Sequence, residues 1–325
     1  MTARNYRKTL SALRQRINIV ERLMSENRWD EIEFEQVPSK AGLKYRNAFA
    51  HNDFIAQKYA DFIKSKDTSV KAATLYPYEI VNKVTAKIGS YWGHDVEIDE
   101  IERATLNKYW ENQIDYLKGE PCKTLCVIDT SGSMTCGNSP KPIDVAISLG
   151  MYCAERIGEP FKNYFISFSS FPQFIEIEGI DFCDKVKRIY KQNLCQNTNL
   201  NAVFDLLLDT IQNKNVSKED IPTQLIVISD MEIDEGSHWG TRGIQMREME
   251  AIRNKWIAAG YQMPKLVYWN VDARHNIILE DASINGITFV SGCSPIIFQA
   301  ILNGKSGIDI MLDKLNDERY NLIRV

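Results

Sequence analysis

The residues of this chain best suited to chemistry follow an apolar run. Residues 125–128 (Leu-Cys-Val-Ile) end directly in Asp129, and Ser131 and Ser133 come next at alternating positions. A short, continuous apolar run bounded by polar residues is typical of a buried strand. The sequence therefore predicts that a strand delivers a carboxylate and two hydroxyl groups to the edge of a sheet.

A second apolar run, residues 225–229, ends in Asp230. If the two runs are adjacent parallel strands, Asp129 and Asp230 lie close together, and two like charges there are costly unless a cation lies between them. Carboxylate and hydroxyl oxygens suit a hard divalent cation, with Mg²⁺ as the first candidate and Mn²⁺ or Ca²⁺ as alternatives. The other interpretation is a strand-to-helix turn in which Asp129, Ser131 and Ser133 only cap the next element.

The elements that would position these residues alternate between strand and helix. Strands are predicted at 124–128, 164–168, 173–177, 224–229, 265–269 and 287–290, and helices at 143–157, 182–190, 200–211, 243–258 and from 294 onward. Short apolar strands separated by helices indicate βαβ units, so the predicted fold class is α/β, a doubly wound, mainly parallel sheet flanked by helices. Ligands of such sheets gather at the carboxyl ends of the strands. Asp144, in the helix after the proposed metal loop, is expected on the surface.

The chain before this sheet is predicted to be mostly helical. Apolar residues recur at the helical period over 5–27, 39–50, 54–63, 78–88 and 98–117. Lys118-Gly119-Glu120-Pro121 then interrupts that period. The predicted domains are therefore a helical region, residues 1–120, and an α/β domain, residues 121–325.

Composition limits the classes of function. The hydrophobic and charged contents, 44% and 25%, are ordinary globular values, and a net charge of -4 argues against a protein that coats nucleic acid, so no DNA partner is expected. Seven scattered cysteines without a C-x-x-C pair indicate reduced thiols, and a cytoplasmic location is expected. No apolar run approaches the ~20 residues of a membrane span, so no membrane partner is expected.

The constellation around Asp129 resembles a known site. Asp129-x-Ser131-x-Ser133 after a buried strand, Thr198 some sixty residues later, and Asp230 at the end of another strand resemble the metal-ion-dependent adhesion site of von Willebrand factor A domains. The resemblance implies a von Willebrand A-like, Rossmann-like fold. It also implies that Thr198 joins Asp129, Ser131, Ser133 and Asp230 as a ligand.

A narrower resemblance, to the carboxyl-terminal portion of the DUF2828 family, covers nearly the whole chain. The segments that carry it are Tyr6-Arg7-Lys8, Arg28-Trp29-Asp30-Glu31-Ile32, Val37-Pro38-Ser39, Asp230-Met231 with Asp234-Glu235, Val267-Tyr268-Trp269-Asn270 and Val290-Ser291-Gly292-Cys293-Ser294-Pro295. Members of this family join a helical region to a von Willebrand A domain and are similar to TROVE and Ro proteins, which bind small RNAs. The resemblance implies that the helical repeats that bind RNA in Ro proteins are mostly absent from this chain.

Two sets of residues beside the metal constellation have open interpretations. Asp234 and Glu235 form either a solvated acidic loop or a group that supports the metal ligands or contacts a partner. Arg7, Lys8 and Arg14 make one face of the first helix positive, which indicates either a solvated face or a surface that contacts RNA phosphates.

The first functional hypothesis is a protein-binding module. Its metal ion keeps an open coordination position, which an Asp or Glu of a protein partner completes. The alternative is a Ro-like protein associated with small RNA. A metal-dependent phosphohydrolase ranks last, and no enzymatic activity is expected, because the sequence has neither a P-loop G-x-x-x-x-G-K-[ST] nor a general base and nucleophile at recognisable spacing.

Overall fold

A computed structural model describes residues 2–16, 19–89, 94–137, 140–192, 199–230, 242–272, 287–305 and 307–320. The chain forms two compact units. The first comprises Met1–Tyr76, Ala86–Ile114 and Asp181–Cys183, and the second comprises Pro77–Thr85, Asp115–Ile180 and Asp184–Val325. The two units therefore interleave along the chain.

Helices precede a region in which strands and helices alternate. The α-helices are α1 (Ala3–Arg16), α2 (Val20–Ser25), α3 (Ser39–His51), α4 (Ala56–Lys64), α5 (Pro77–Thr85), α6 (Glu100–Glu111), α7 (Pro142–Ala154), α8 (Phe182–Tyr190), α9 (Leu200–Asn213), α10 (Arg242–Ala258), α11 (Pro295–Leu302) and α12 (Gly307–Leu315). The strands are β1 (Thr124–Ile128), β2 (Tyr164–Ser167), β3 (Phe174–Glu176), β4 (Gln224–Ser229), β5 (Lys265–Asn270) and β6 (Ile287–Ser291). This order confirms the predicted helical region before an α/β region.

The strands of the described residues form one sheet in the order β3-β2-β1-β4-β5-β6. Neighbouring strands are parallel except for β3, which is antiparallel to β2. The chain adds strands outward from β1 in one direction and then from β4 in the other, which makes the sheet doubly wound. Every residue of β1 and of β4 is buried, which explains their uninterrupted apolar sequences. The predicted fold class is confirmed.

Helix α7 is buried along its whole length, because it packs on β1 and is also covered by α5. The sequence predicts a surface position for Asp144 in this helix, and that prediction is wrong: its side chain is fully buried. Thr85 Oγ1 donates to Asp144 Oδ1 at 2.6 Å, and Asn82 Nδ2 donates to Asp144 Oδ2 at 2.8 Å. Both partners come from α5, which is far from α7 in sequence.

In the first unit, α3, α4 and α6 pack together. The rings of Phe34, Phe49 and Tyr59 form an aromatic cluster, with 5.0 Å between the centroids of Phe34 and Tyr59. Beside this apolar core, the buried carboxylate of Glu102 accepts hydrogen bonds from Arg46 and Lys87. The ion pairs neutralise a charge that would otherwise be costly to bury.

Two helices are shorter than the sequence predicts. The predicted helix over 5–27 is interrupted, because Ile19 has extended backbone angles (φ -65°, ψ 144°) and α2 begins after it. The predicted helix over 98–117 ends at Glu111. The Asp115 carboxylate accepts hydrogen bonds from the backbone N–H groups of Leu117 and Gly119, which holds the chain in a turn instead of a helix.

Among the residues that the structure describes, every helix is too short or too polar to cross a lipid bilayer.

Candidate metal centre

Strands β1 and β4 bring Asp129 and Asp230 to the same edge of the sheet. Ile128 and Ile228 are register partners in this parallel pair, and the Asp129 N–H donates to Ile228 O at 3.0 Å. Both carboxylate residues are buried, Asp129 being 4% exposed and Asp230 5% exposed. Two acids therefore lie next to each other where the two central strands end.

The Asp129 carboxylate is fixed by donors to both of its oxygens. Its Oδ1 accepts from the Ser131 backbone N–H at 2.8 Å, and its Oδ2 accepts from Ser229 Oγ at 2.7 Å. Ser229 is the last residue of β4 and is buried. It is not among the site residues predicted from the sequence. Its position, directly before the acid that ends the neighbouring strand, is the signal that could have identified it.

The loop after β1 brings two hydroxyl groups together. Residues Ser133–Thr135 form a single turn of 3-10 helix, and the Met134 N–H donates to Ser131 O at 3.2 Å. The hydroxyl oxygens of Ser131 and Ser133 lie 3.1 Å apart. Asp129, Ser131 and Ser133, which alternate in sequence, therefore share one compact loop.

Met134 ties this loop to β4. Its side chain is fully buried, and its sulfur accepts the Asp230 backbone N–H at 3.2 Å. This contact is not predicted from the sequence, and an apolar residue inside an otherwise polar loop is the feature that could have indicated it. The contact couples the position of Asp230 to the loop that carries the two serines.

The electrostatics of the two acids are unfavourable in the protein alone. Burial raises the pKa of Asp129, and the negative charge of Asp230 raises it further, whereas hydrogen bonds from Ser229 and Ser131 oppose the rise. A bound cation would relieve this repulsion. Two carboxylates and neighbouring hydroxyl oxygens fit a hard divalent cation by the chemistry of the donor set.

Such a centre would combine the two carboxylates with hydroxyl groups. Within the described residues, no group of three or more His, Cys, Asp or Glu side chains is arranged to hold a metal ion. The predicted ligand Thr198 and the predicted neighbours Asp234 and Glu235 lie outside the described residues. The described chain resumes at Asn199, whose side chain caps α9 by accepting from the Ala202 N–H at 3.1 Å.

The other predicted site residues lie on α1 in the first unit. Arg7, Lys8 and Arg14 are exposed there, and Arg7 Nε donates to Ala3 O at 3.3 Å. The helix has no acidic residue in its first turn and ends in basic residues. These three side chains therefore form an exposed basic surface on α1.

An exposed aromatic side chain follows the strand next to β1. The loop between β2 and β3 is closed at its base, since Ser167 N donates to Gln173 O at 2.9 Å and Gln173 N donates to Ser167 Oγ at 3.0 Å. Phe171 lies in this loop and is 77% exposed. The loop starts at the carboxyl end of β2, the same edge of the sheet at which β1 delivers Asp129.

The fold and the order of its elements define the class of protein. A doubly wound, mainly parallel sheet in the order β3-β2-β1-β4-β5-β6, preceded by a helical region, places the protein in the Rossmann-like α/β class. The chain belongs to the DUF7788 family, because residues 123–321 match the model of that domain of unknown function. Residues 1–121 match DUF2828, also a domain of unknown function, and the predicted resemblance to DUF2828 is confirmed for this region.

One relative matches nearly all of this chain. It is the uncharacterized protein L728 of Acanthamoeba polyphaga mimivirus, which is 27% identical over 326 residues that cover 94% of this chain and 53% of that protein. The chain thus spans about half the length of this relative.

A solved structure shares the fold at low sequence identity. The Ro (RSR) protein of Deinococcus radiodurans is similar with a TM-score of 0.50 and 18% identity, covering 87% of this chain and 59% of that one. The manganese-loaded TRAP protein of Plasmodium vivax is more distant, with a TM-score of 0.31 and 14% identity over 52% of this chain and 70% of that one. What this chain shares with the Ro protein is therefore the fold.

Proposed function

We propose that this chain is a metal-dependent protein-binding module. The observation that carries the proposal is the pair of buried carboxylates, Asp129 and Asp230, at the ends of adjacent parallel strands. The hydroxyl groups of Ser131 and Ser133 lie beside them on one short loop. Such an arrangement is costly in the protein alone and becomes favourable when a cation occupies it.

Asp129 and Asp230 would neutralise a divalent cation, and Ser131, Ser133 and Thr198 would add uncharged oxygens. Mg²⁺ is the first candidate, with Mn²⁺ and Ca²⁺ as alternatives. When bound, the cation supplies a coordination position that an Asp or Glu of a protein partner completes. Because Ser131, Ser133 and Thr198 add no charge, the negative charge of the ligands does not exceed the charge of the cation, and the incoming carboxylate meets no net repulsion.

Phe171 extends the binding surface beyond the metal. It is exposed on a loop whose base is closed by hydrogen bonds between Ser167 and Gln173. Exposed aromatic residues on rigid supports are frequent anchors of protein interfaces. We therefore expect the partner's acidic residue to be accompanied by an apolar one.

A test of the module separates metal binding from partner binding. Binding of Mn²⁺ is measured by electron paramagnetic resonance for the wild type, Asp129→Ala and the surface control Asp205→Ala, whose carboxylate forms an exposed ion pair with Lys255. A random peptide library is then selected on each protein in Mg²⁺ and eluted with EDTA. The wild type and the control should bind Mn²⁺ and select peptides that contain Asp or Glu. Equal metal and peptide binding by Asp129→Ala would refute the proposal.

A second candidate, association with small RNA, is favoured by the exposed basic surface of α1. Arg7, Lys8 and Arg14 lie on a helix without an acidic first turn, and such a surface binds phosphates in a salt-dependent way. The test is a mobility shift with a small structured RNA at low and moderate salt. Changing Arg7, Lys8 and Arg14 together to Gln should weaken RNA binding and reduce its salt dependence. Arg28→Gln is the control and should do neither, because the charge of Arg28 is already paired with Glu26 and Glu31.

The proposed module binds its partner without catalysing a reaction. The competing hypothesis is a metal-dependent phosphohydrolase, in which Asp230 would support a cation that polarises a phosphoryl oxygen. Phosphatase or nuclease turnover with Mg²⁺ or Mn²⁺ that Asp230→Asn abolishes would replace the binding proposal with that hypothesis.

A further inference from the structure

Helix α5 is part of the unit that carries the candidate metal centre, although it lies far from that unit's other elements in sequence. The DUF7788 match starts at residue 123, and α5 lies in the segment that matches DUF2828. Pro77–Thr85 nevertheless groups with the second unit. Ile80, Val81 and Val84 of this helix are fully buried. The von Willebrand A-like domain is therefore covered by a helix from the region before it.

Polar contacts fix the position of α5 on α7. Both oxygens of the fully buried Asp144 carboxylate accept from α5, one from Thr85 Oγ1 at 2.6 Å and the other from Asn82 Nδ2 at 2.8 Å. We call these three residues the α5–α7 clasp. A buried carboxylate is costly unless such bonds satisfy it, so only one alignment of the two helices is favourable.

Helix α7 in turn supports the loop of residues 131–135, which we call the metal loop. The 3-10 turn Ser133–Thr135 packs on α7, and its central residue Met134 is fully buried. The Met134 sulfur accepts a hydrogen bond from the Asp230 N–H, so the same turn also contacts the backbone of the second proposed carboxylate ligand. Packed contacts therefore run from α5 through α7 to the loop of Ser131 and Ser133 and to Asp230.

We infer that the α5–α7 clasp positions the metal loop. Asn82, Thr85 and Asp144 are positioning residues: they would not touch the metal, and they act by holding α7 where it supports Met134 and the two serines. As a statement about the metal site, this inference rests on the proposed function. It also assigns α5 to the binding module, so that the region matched by DUF2828 supplies an element that the DUF7788 region uses.

The clasp is tested in the whole 325-residue chain with a matched control on α7. Thr85→Val removes one donor and keeps the side-chain shape, and Thr85→Ser restores the hydroxyl. Tyr152→Phe is the control, because it removes two hydrogen bonds at the other end of α7: the one that the Tyr152 hydroxyl accepts from the Tyr116 N–H and the one that it donates to Asp115 Oδ1. Hydrogen exchange of the Ser131, Met134 and Cys136 amides is measured in EDTA, and Mn²⁺ affinity is measured by electron paramagnetic resonance.

Thr85→Val should speed exchange of these amides about fivefold or more and weaken Mn²⁺ binding by a similar factor, as expected for coupled sites. Thr85→Ser should behave like the wild type, and Tyr152→Phe should leave the metal loop unchanged even if it lowers the melting temperature. If Thr85→Val does not fold, Asn82→Ala, which removes only the other donor, takes its place.

The outcomes distinguish the clasp from the metal proposal. If Thr85→Val and Tyr152→Phe have the same effect on the loop amides, or neither has any, the clasp has no positioning role. If the wild type binds no Mn²⁺, the proposed function fails, and the exchange measurement in EDTA still decides whether the clasp orders the loop. Mn²⁺ binding that is insensitive to Thr85→Val overturns the inference and leaves the proposed function intact.

Discussion

Gly150 of α7 lies directly against the side chain of Ile128, the last residue of β1. A Cβ atom at position 150 would lie 2.2 Å from Ile128 Cδ1 and 3.0 Å from Ile128 Cγ1. Ile128 is fully buried and precedes Asp129, so it has little room to move away. The absence of a side chain at Gly150 therefore allows the close approach of helix and strand beneath the candidate metal centre.

We expect Gly150→Ala to destabilise the protein by about 1–3 kcal/mol through overpacking, reduced by up to about 1 kcal/mol because Ala favours helix more than Gly does. Urea denaturation measures the change. Ile128→Val removes Cδ1, so the cost of Gly150→Ala should be smaller in that background. An equal cost in both backgrounds would show that the overlap with Ile128 is not the cause.

Lys108 of α6 caps the end of α4 from inside the first unit. Its ammonium group donates to the carbonyl oxygens of Phe62, Ile63 and Ser65, at 3.2, 3.3 and 2.6 Å, and to Thr68 Oγ1 at 2.8 Å. Lys108→Met should cost about 2–3 kcal/mol in urea denaturation, because it removes these charge-assisted bonds, including the one to the buried carbonyl oxygen of Ile63.

The matched control for Lys108 is Lys64→Met. Lys64 pairs with Glu100 on the surface, where its side chain is 51% exposed. Exposed ion pairs contribute little, so this change should stay within about 0.5 kcal/mol. Similar costs for the two variants would contradict the capping role of Lys108.

The buried carboxyl of Asp144 should make stability depend on pH. Burial raises its pKa, while hydrogen bonds from Thr85 and Asn82 and the charge of Lys141 oppose the rise. The neutral carboxyl group of Asp144 therefore stabilises the folded protein fully below the ordinary pKa of about 4. This stabilisation is lost as the pH rises through the raised pKa of the folded protein. Asp144→Asn, which does not titrate, should gain stability relative to the wild type between about pH 3 and pH 7.

Urea denaturation at several pH values tests this expectation. Tyr190 is the other titrating group to consider, since burial and then the charge of Asp144 raise its pKa; it stays neutral below pH 7. Asp205→Asn, which removes a carboxyl group from an exposed ion pair with Lys255, is the control for the loss of a surface acid. A difference between Asp144→Asn and the wild type that does not change with pH would contradict the prediction.

The sequence was sufficient to predict the fold class, since β1 and β4 are continuous apolar runs and a parallel sheet brings the residues after such strands to one edge. It also predicted that Asp129 and Asp230 meet there. Asp144 was mispredicted because its burial depends on α5, which is 59 residues away at Thr85. No local pattern reveals that pairing.

The contacts of Ser229 and Met134 with the two acids were not predicted, for a related reason. Each acts on the neighbouring strand or loop, Ser229 on the Asp129 carboxylate and Met134 on the Asp230 N–H. Such contacts depend on strand register, which one sequence specifies only weakly. The helix over 98–117 was extended too far because apolar spacing continues past Glu111, although the side chain of Asp115 offers the backbone a competing turn.

A divalent cation that binds the folded state should stabilise it. At about 100 times its dissociation constant, Mn²⁺ should add about 2.7 kcal/mol to the free energy of unfolding, seen as a higher melting temperature that EDTA reverses. Ser131→Ala and Ser133→Ala should each reduce this gain. Ser148→Ala is the control, because that buried hydroxyl donates to Val145 O within α7, and it should retain the full Mn²⁺ effect even if its basal stability is lower. A gain from Mn²⁺ that survives both loop variants would place the ion elsewhere.

Phe171 should affect partner binding without affecting the metal. Its side chain is 77% exposed, so Phe171→Ser removes little buried area and should leave the melting temperature and Mn²⁺ affinity unchanged. Peptides selected on the wild type in Mg²⁺ should bind this variant about tenfold more weakly, as for a modest interface anchor. Phe54→Ser, which changes an equally exposed Phe of the first unit, should not affect binding. If both variants weaken binding equally, the loss reflects general hydrophobicity and not a binding surface at the edge of the sheet where Asp129 lies.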